Sequence, residues 1–239
     1  SAASDVYKRQ DMKIDGKDVY PKLHDKLKES GFDKKEPISK QLYDIYGLYP
    51  APGDRHVGEF FPYYMKEEVL MEQDYEWKNN DFKVVDGWRE EARVLFDEVR
   101  TKKEGYEEFL KGSGETATYF IRSLATGDIS DEMVNVINNG YIDNVSSGII
   151  VELPTYIDEF GLHPQKIGKL PDAIAAQCDR LGREYLLMVE AAATCNYELA
   201  RQAMFLDPLV SNCKYPELLL KDLIRANLDL LPEAWEKHC

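Results

Sequence analysis

Asp54, Arg55, His56 and Glu59 place an acid, a permanent cation, an imidazole and a second carboxylate within six positions. They sit in YPAPGDRHVGEFFPYY (Tyr49–Tyr64), where Pro50, Pro52 and Gly53 shape the approach and an aromatic run follows. A carboxylate beside a guanidinium stays ionised, so it can take up a proton or bind substrate hydroxyls. His56 and Glu59 are three apart and share one face if a helix begins at this point. Short charged clusters also form plain surface ion pairs. The aromatics directly after this one, Phe60, Phe61, Tyr63 and Tyr64, argue for a partly buried setting. Tyr49, Tyr63 and Tyr64 could line a substrate pocket or simply fill a core.

Other chemistry is missing from the pattern. Gly112–Ser113–Gly114 follows a helical pattern rather than a strand, so it fails as a nucleotide phosphate loop. Neither HExxH nor GxSxG occurs. No residue is therefore assigned to a nucleotide or a metal. Cys178, Cys195, Cys213 and Cys239 contain no CxxC pair, which favours buried thiols over disulfides or zinc and fits a reducing cytoplasm. His163 precedes Pro164 and reads as structural, while His24 and His238 are given no role.

The elements that must position these groups can be read from periodicity and punctuation. Asp15–Gly16 is a turn signal between Met12–Ile14 and Val19–Tyr20, which reads as a short hairpin or as a strand entering a helix. Lys22–Gly31 is a charged helix, and Ser39 is the expected cap of a second helix, Lys40–Tyr46, closed by Gly47. A long amphipathic helix runs from Val84 to about Leu110, with a possible break at Gly105, and another spans Glu115–Ala125. Met133–Ile137 and Ile149–Leu153 read as strands around an Asn138–Asn139–Gly140 turn. Leu170–Asp207 carries one continuous helical pattern, and Pro216–Leu231 a last one. The expected fold is one helix-rich α+β domain with a small, mostly antiparallel sheet.

Of the 239 residues, 44% are hydrophobic, enough for a substantial core, and the formal net charge is -14. Without a basic patch, that charge argues against nucleic-acid or anionic-membrane partners. There is no run of 18 apolar residues and no apolar signal core. Ser1–Gln10 resembles translated sequencing-adapter sequence and is set apart as a tail from residues 11–239, so the chain is expected to start within a longer reading frame.

Five segments, in order, resemble the C-terminal domain of glycoside hydrolase family 4. They are DGKDVYP (Asp15–Pro21), LYPAPGDRHVGEFFPYY (Leu48–Tyr64), NVINNGYIDN (Asn135–Asn144), IVELPTYIDEFGLHP (Ile150–Pro164) and VEAAATCNYELARQAMFLDPLV (Val189–Val210). The resemblance implies a fold like the C-terminal domain of lactate and malate dehydrogenases, with the Rossmann domain lying upstream. It also implies an α-glycosidase that uses NAD and Mn²⁺. In that chemistry the sugar is oxidised at C3, a base removes the C2 proton, the leaving group departs, water adds and the ketone is reduced. By residue, the resemblance makes Asp54 the candidate base, with Arg55, His56 and Glu59 beside it in substrate contact. Asn135 and Asn138 match asparagines that close the pocket.

Two departures stand out. Cys178, Cys195 and Cys213 do not match the family's metal-binding cysteine, and Val145–Ser146–Ser147 stands where a Leu-Pro pair is usual. The implied substrates are α-galactosides or α-glucosides, with α-galacturonides or α-glucuronides as the alternative, because Arg55 and His56 could hold a carboxylate. A cytoplasmic homo-oligomer, dimer or tetramer, is implied as well. Two rival readings are a malate/lactate dehydrogenase-like oxidoreductase and a non-catalytic dimerisation domain.

Overall fold

The computed structural model of the chain describes residues 13–28, 36–65, 82–102, 107 and 116–238. Met12, Gly31, Gly105 and Gly112–Ser113–Gly114 lie outside the described residues. The opening hairpin pairs β1 (Lys13–Ile14) antiparallel with β2 (Lys17–Asp18). Asp15 and Gly16 turn it at φ of 50° and 73°, the left-handed geometry for which Asp-Gly is suited. The Asp18 carboxylate then accepts the Tyr20 N–H at 2.9 Å and starts α1 (Tyr20–Lys28).

α2 (Pro37–Tyr46) begins earlier than the Ser39 cap implies. Glu36 occupies the N-cap position, Pro37 opens the helix, and Ser39 is buried within it. Proline's fixed φ and missing N–H suit a first turn, so the helix runs back through it. Its other end follows expectation: Gly47, at φ 72°, donates its N–H to the Tyr43 carbonyl at 2.8 Å. α3 (Asp54–Val57) is a single turn that continues as the 3-10 turn Gly58–Phe60.

After α4 (Phe82–Lys102) and α5 (Ala117–Thr126) come β3 (Ser130–Ile137), β4 (Ile150–Asp158) and β5 (Gly161–Pro164), in the sheet order β3-β4-β5. Only Glu159 and Phe160 join β4 to β5, a connection short enough for antiparallel neighbours alone. Along β4 the side chains of Val151, Leu153, Thr155 and Ile157 are buried while Ile150 and Tyr156 are exposed, the period of two that defines a sheet with two faces.

The long pattern at Leu170–Asp207 is two helices, α6 (Asp172–Thr194) and α7 (Tyr197–Leu206). Apolar spacing carries straight through the break, so periodicity does not reveal it. Cys195 stands at φ 51°, and the Asn196 side chain accepts the N–H groups of Glu198 and Leu199 at 3.0 and 3.3 Å. That local cap competes with continued helix and wins. α8 (Pro216–Ala226) likewise stops short of Leu231, where the Asn227 amide turns back to the Leu223 carbonyl at 2.8 Å.

The described residues fall into two compact units, one drawn from 1–75, 133–154 and 164–239, the other from 76–132 and 155–163. In the first, the buried side chains include Val57, Phe60, Phe61, Ile142, Ile149, Leu170, Ile174, Cys178 and Leu181. Ile149 fits close to α6 because Gly182 has no side chain: a Cβ there would stand 2.5 Å from Ile149 Cδ1. In the second, Ser123 Oγ donates to Ser130 Oγ at 2.7 Å and Asp158 pairs with His163 at 2.8 Å. Hydrogen bonding to His163 holds the Asp158 carboxyl below the usual carboxylate range.

Candidate functional site

The loop that carries Asp54 is bound to α2 by a reciprocal pair of caps. Asp54 Oδ2 accepts the Ile38 N–H at 2.7 Å and Oδ1 accepts the Ser39 N–H at 2.8 Å. Glu36 Oε2 accepts the Asp54 N–H at 2.8 Å in return. A helix leaves its first N–H groups without internal partners, and Glu36 makes no side-chain cap of its own. Asp54, 18 positions further on, supplies that cap as an anion at the positive end of the helix. Burial, aided by the nearby Asp54 carboxylate, pushes the Glu36 carboxyl up.

Along this loop the expected residues differ in setting. Asp54 and Glu59 are half-buried and His56 is exposed. The helical turn anticipated for His56 and Glu59 is present, since α3 passes directly into the 3-10 turn. The Arg55 side chain lies outside what the structure describes. Behind the loop the buried Val57, Phe60, Phe61 and Tyr64 hold it to the core, with the Tyr64 hydroxyl donating to Gln41 Oε1 at 2.7 Å.

The strand-turn segment is built differently. Asn138 is 1% exposed, and its side chain is spent on its own loop. Its amide nitrogen reaches the carbonyls of Ile142, Val145 and Ser146 at 3.1, 2.8 and 3.2 Å, and its oxygen accepts the Ile142 N–H at 3.0 Å. Asn135, on β3, is exposed, so the two asparagines do not present their side chains alike. Asn144 bonds Leu170 through both side-chain polar atoms, donating to its carbonyl at 2.8 Å and accepting its N–H at 2.9 Å.

One stretch of α6 receives both loops. Asp179 accepts the Ser146 N–H at 2.7 Å, and Arg183 bonds both Asp179 and the Ser146 hydroxyl. Its neighbour Arg180 donates to the Phe60 carbonyl at 2.8 Å and to the Leu206 carbonyl at 2.8 Å. One turn on, Glu184 is 2% exposed, and Oε2 stands 3.9 Å from Arg180 with no hydrogen-bond partner. Burial, reinforced by Asp207 and opposed by Arg180, pushes its carboxyl up to about 7. Glu36, Asp179, Arg180, Arg183 and Glu184 carry no motif. Their only sequence signal is charge beside apolar helical positions such as Cys178 and Leu181.

An open depression of about 420 Å³ lies between the Asp143–Ser146 segment and α6. Its carboxylates are already paired, Asp143 with Lys166 at 2.9 Å, Asp172 with Lys169 at 3.1 Å and Asp179 with Arg183 at 2.7 Å. Among the described residues no three of His, Cys, Asp or Glu gather as a metal site requires. Burial pushes the Cys178 thiol up to about 12, which suits a packed side chain rather than a ligand.

Among the described residues no helix is long and apolar enough to cross a membrane. Comparison with known proteins gives a consistent result. An α-galactosidase of Bacillus subtilis is 29% identical over 237 residues, covering 93% of this chain and 52% of its own. An α-galacturonidase of Thermoanaerobacterium saccharolyticum is 30% identical over 237 residues, covering 91% and 50%. The crystal structure of LplD from Bacillus subtilis superposes with a TM-score of 0.71 at 26% identity, over 87% of this chain and 50% of that one. A 6-phospho-α-glucosidase from gut microorganisms, crystallised in complex with NAD and Mn²⁺, shares the fold with a TM-score of 0.71 at 18% identity, over 92% and 51%. The chain thus spans about half the length of the relatives it matches. Residues 7–210 match the Family 4 glycosyl hydrolase C-terminal domain, and the chain belongs to that family.

Proposed function

We propose that this chain is the substrate-side portion of a cytoplasmic, homo-oligomeric α-glycosidase that depends on NAD and a divalent metal, Mn²⁺ above others. The observation that carries this reading is the family match over residues 7–210, which includes the whole Asp54–Glu59 loop. Relatives about twice as long support a nucleotide and a metal held mainly by residues outside this chain. When bound, those groups supply the redox and electrophilic chemistry. The chain's own part is to hold the sugar and move protons.

In this reading α2 fixes the Asp54 carboxylate so that it can receive the proton at sugar C2. Each Asp54 oxygen carries two lone pairs, and α2 takes one of each. Exposed His56 and half-buried Glu59 contact sugar hydroxyls, together with Arg55 and Asn135. Asn138 shapes the pocket wall by holding its loop. α-Galactosides are the preferred substrates, supported by the similarity to α-galactosidases. α-Galacturonides are the second reading, supported by the 30%-identical galacturonidase and by Arg55 and His56 as groups able to meet a carboxylate.

The test uses the complete polypeptide that carries this chain. With NAD, Mn²⁺ and reductant it should hydrolyse p-nitrophenyl α-galactoside or the α-galacturonide, and lose activity when either cofactor is withheld. The chain alone should neither bind NAD nor cleave these substrates. Micromolar NAD binding by the chain alone in a calorimeter would overturn the division of labour.

A further inference from the structure

We infer that Arg180 is a positioning residue for the Asp54–Phe60 segment, tying the end of that turn to the end of α7 through one guanidinium. The inference rests on the reading of this loop as the substrate loop. Phe60 closes the 3-10 turn Gly58–Phe60, and Leu206 closes α7, so each carbonyl belongs to the last turn of a helix and lacks an internal partner there. Arg180 Nη2 reaches the first at 2.8 Å and Nη1 the second at 2.8 Å. A planar guanidinium holds its donors at fixed angles, so satisfying both carbonyls fixes the distance and orientation between them. Its positive charge also suits the negative end of each turn.

The clamp is itself oriented. Gln177 Oε1 accepts from Nη2 at 3.3 Å, and buried Glu184 stands one turn along α6 at 3.9 Å. Phe60 is one residue from Glu59 and four from His56, and the turn begins at Asp54, whose carbonyl accepts the Gly58 N–H. The substrate loop is therefore held at its start by α2 and at its end by Arg180. The backbone it holds lies 120 positions away.

The test compares Arg180→Met, Arg180→Lys and Arg180→Gln in the complete polypeptide, assayed on p-nitrophenyl α-galactoside with NAD and Mn²⁺. A misplacement near 1 Å at a reacting group can cost about 10²-fold. Arg180→Met should lower kcat about 10²-fold while KM changes far less, and the NAD dissociation constant should stay within twofold. Arg180→Lys keeps the charge and should recover about tenfold of that loss. Should Arg180→Met not fold, Arg180→Gln serves in its place, with at least a tenfold fall in kcat expected at a near-normal melting temperature.

Near-normal kcat in either folded variant overturns the inference, and so does a Lys variant no better than Met. Amide hydrogen exchange separates this from the functional reading. Faster exchange at the Phe61 and Tyr64 amides in Arg180→Met supports the clamp even if the wild-type protein cleaves no glycoside. Unchanged exchange at those amides removes it.

Discussion

The loops that begin at Gly53 and at Asn138 are both short, polar and fastened to α6, yet they spend their polar side chains in opposite ways. In the second loop, Asn138 turns inward and binds three carbonyls and one N–H of its own segment. At 1% exposure, that amide lies out of a ligand's reach. In the first loop the anchoring is delegated: α2 is capped by Asp54, α6 reaches the Phe60 carbonyl through Arg180, and His56 stays exposed. Buried polar groups must be satisfied, and whichever group does that work is less available for chemistry. The difference separates a loop that supports itself from one supported by its neighbours, and it is the second kind that can present groups outward.

This contrast can be broken or sharpened by substitution in the complete polypeptide. The largest expected effect is on turnover in Asp54→Asn. A positioned base contributes about 10²–10⁴-fold in rate, so turnover should fall by that factor. The same change turns one carboxylate oxygen into an NH₂ facing a helix N–H and, by leaving that N–H without its acceptor, should cost about 1 kcal/mol of stability. Asn138→Ala should do the reverse. Loss of its buried bonds should cost about 3 kcal/mol in urea unfolding, with kcat changed little in the fraction that remains folded. A pair of variants with matched losses on both axes would remove the distinction.

A pH-dependent effect is expected at Glu184. Folding raises its pKa from 4.5 to about 7. Between those values the unfolded chain has released its proton while the folded chain retains it, so stability declines as pH rises through this window. Above it the loss is complete and amounts to roughly 3 kcal/mol. Glu184→Gln lacks the titration, so its advantage over the wild type in urea midpoints should grow from pH 5 to pH 8. An advantage that does not change with pH would show that Glu184 is not buried in its charged form.

Local features of the fold could be read before the structure. Asp15–Gly16, Gly47 and the strand-length run at Ile149–Leu153 each follow from rules acting over a few residues. The break at Cys195–Asn196 could not be read by periodicity, because the apolar spacing is the same on both sides of it. Ser39 lost the cap of α2 to a residue 15 positions later in the chain, and no local rule weighs a donor at that distance. The site divides the same way. Asp54, His56 and Glu59 were visible as a cluster on a Pro/Gly-shaped loop, whereas Glu36, Asp179, Arg180 and Arg183 act only through partners that the fold brings near. Asn138 could be found as a turn residue, but its inward orientation depends on carbonyls that exist only once the loop has closed.

The most direct test of the central claim is the kinetic isotope effect with substrate deuterated at sugar C2, measured for the wild type and Asp54→Asn. If Asp54 receives that proton, the variant should turn over about 10²–10⁴-fold more slowly and show a larger isotope effect, with NAD affinity unchanged. Near-normal turnover with an unaltered isotope effect would contradict the account, leaving Asp54 as the cap of α2 alone.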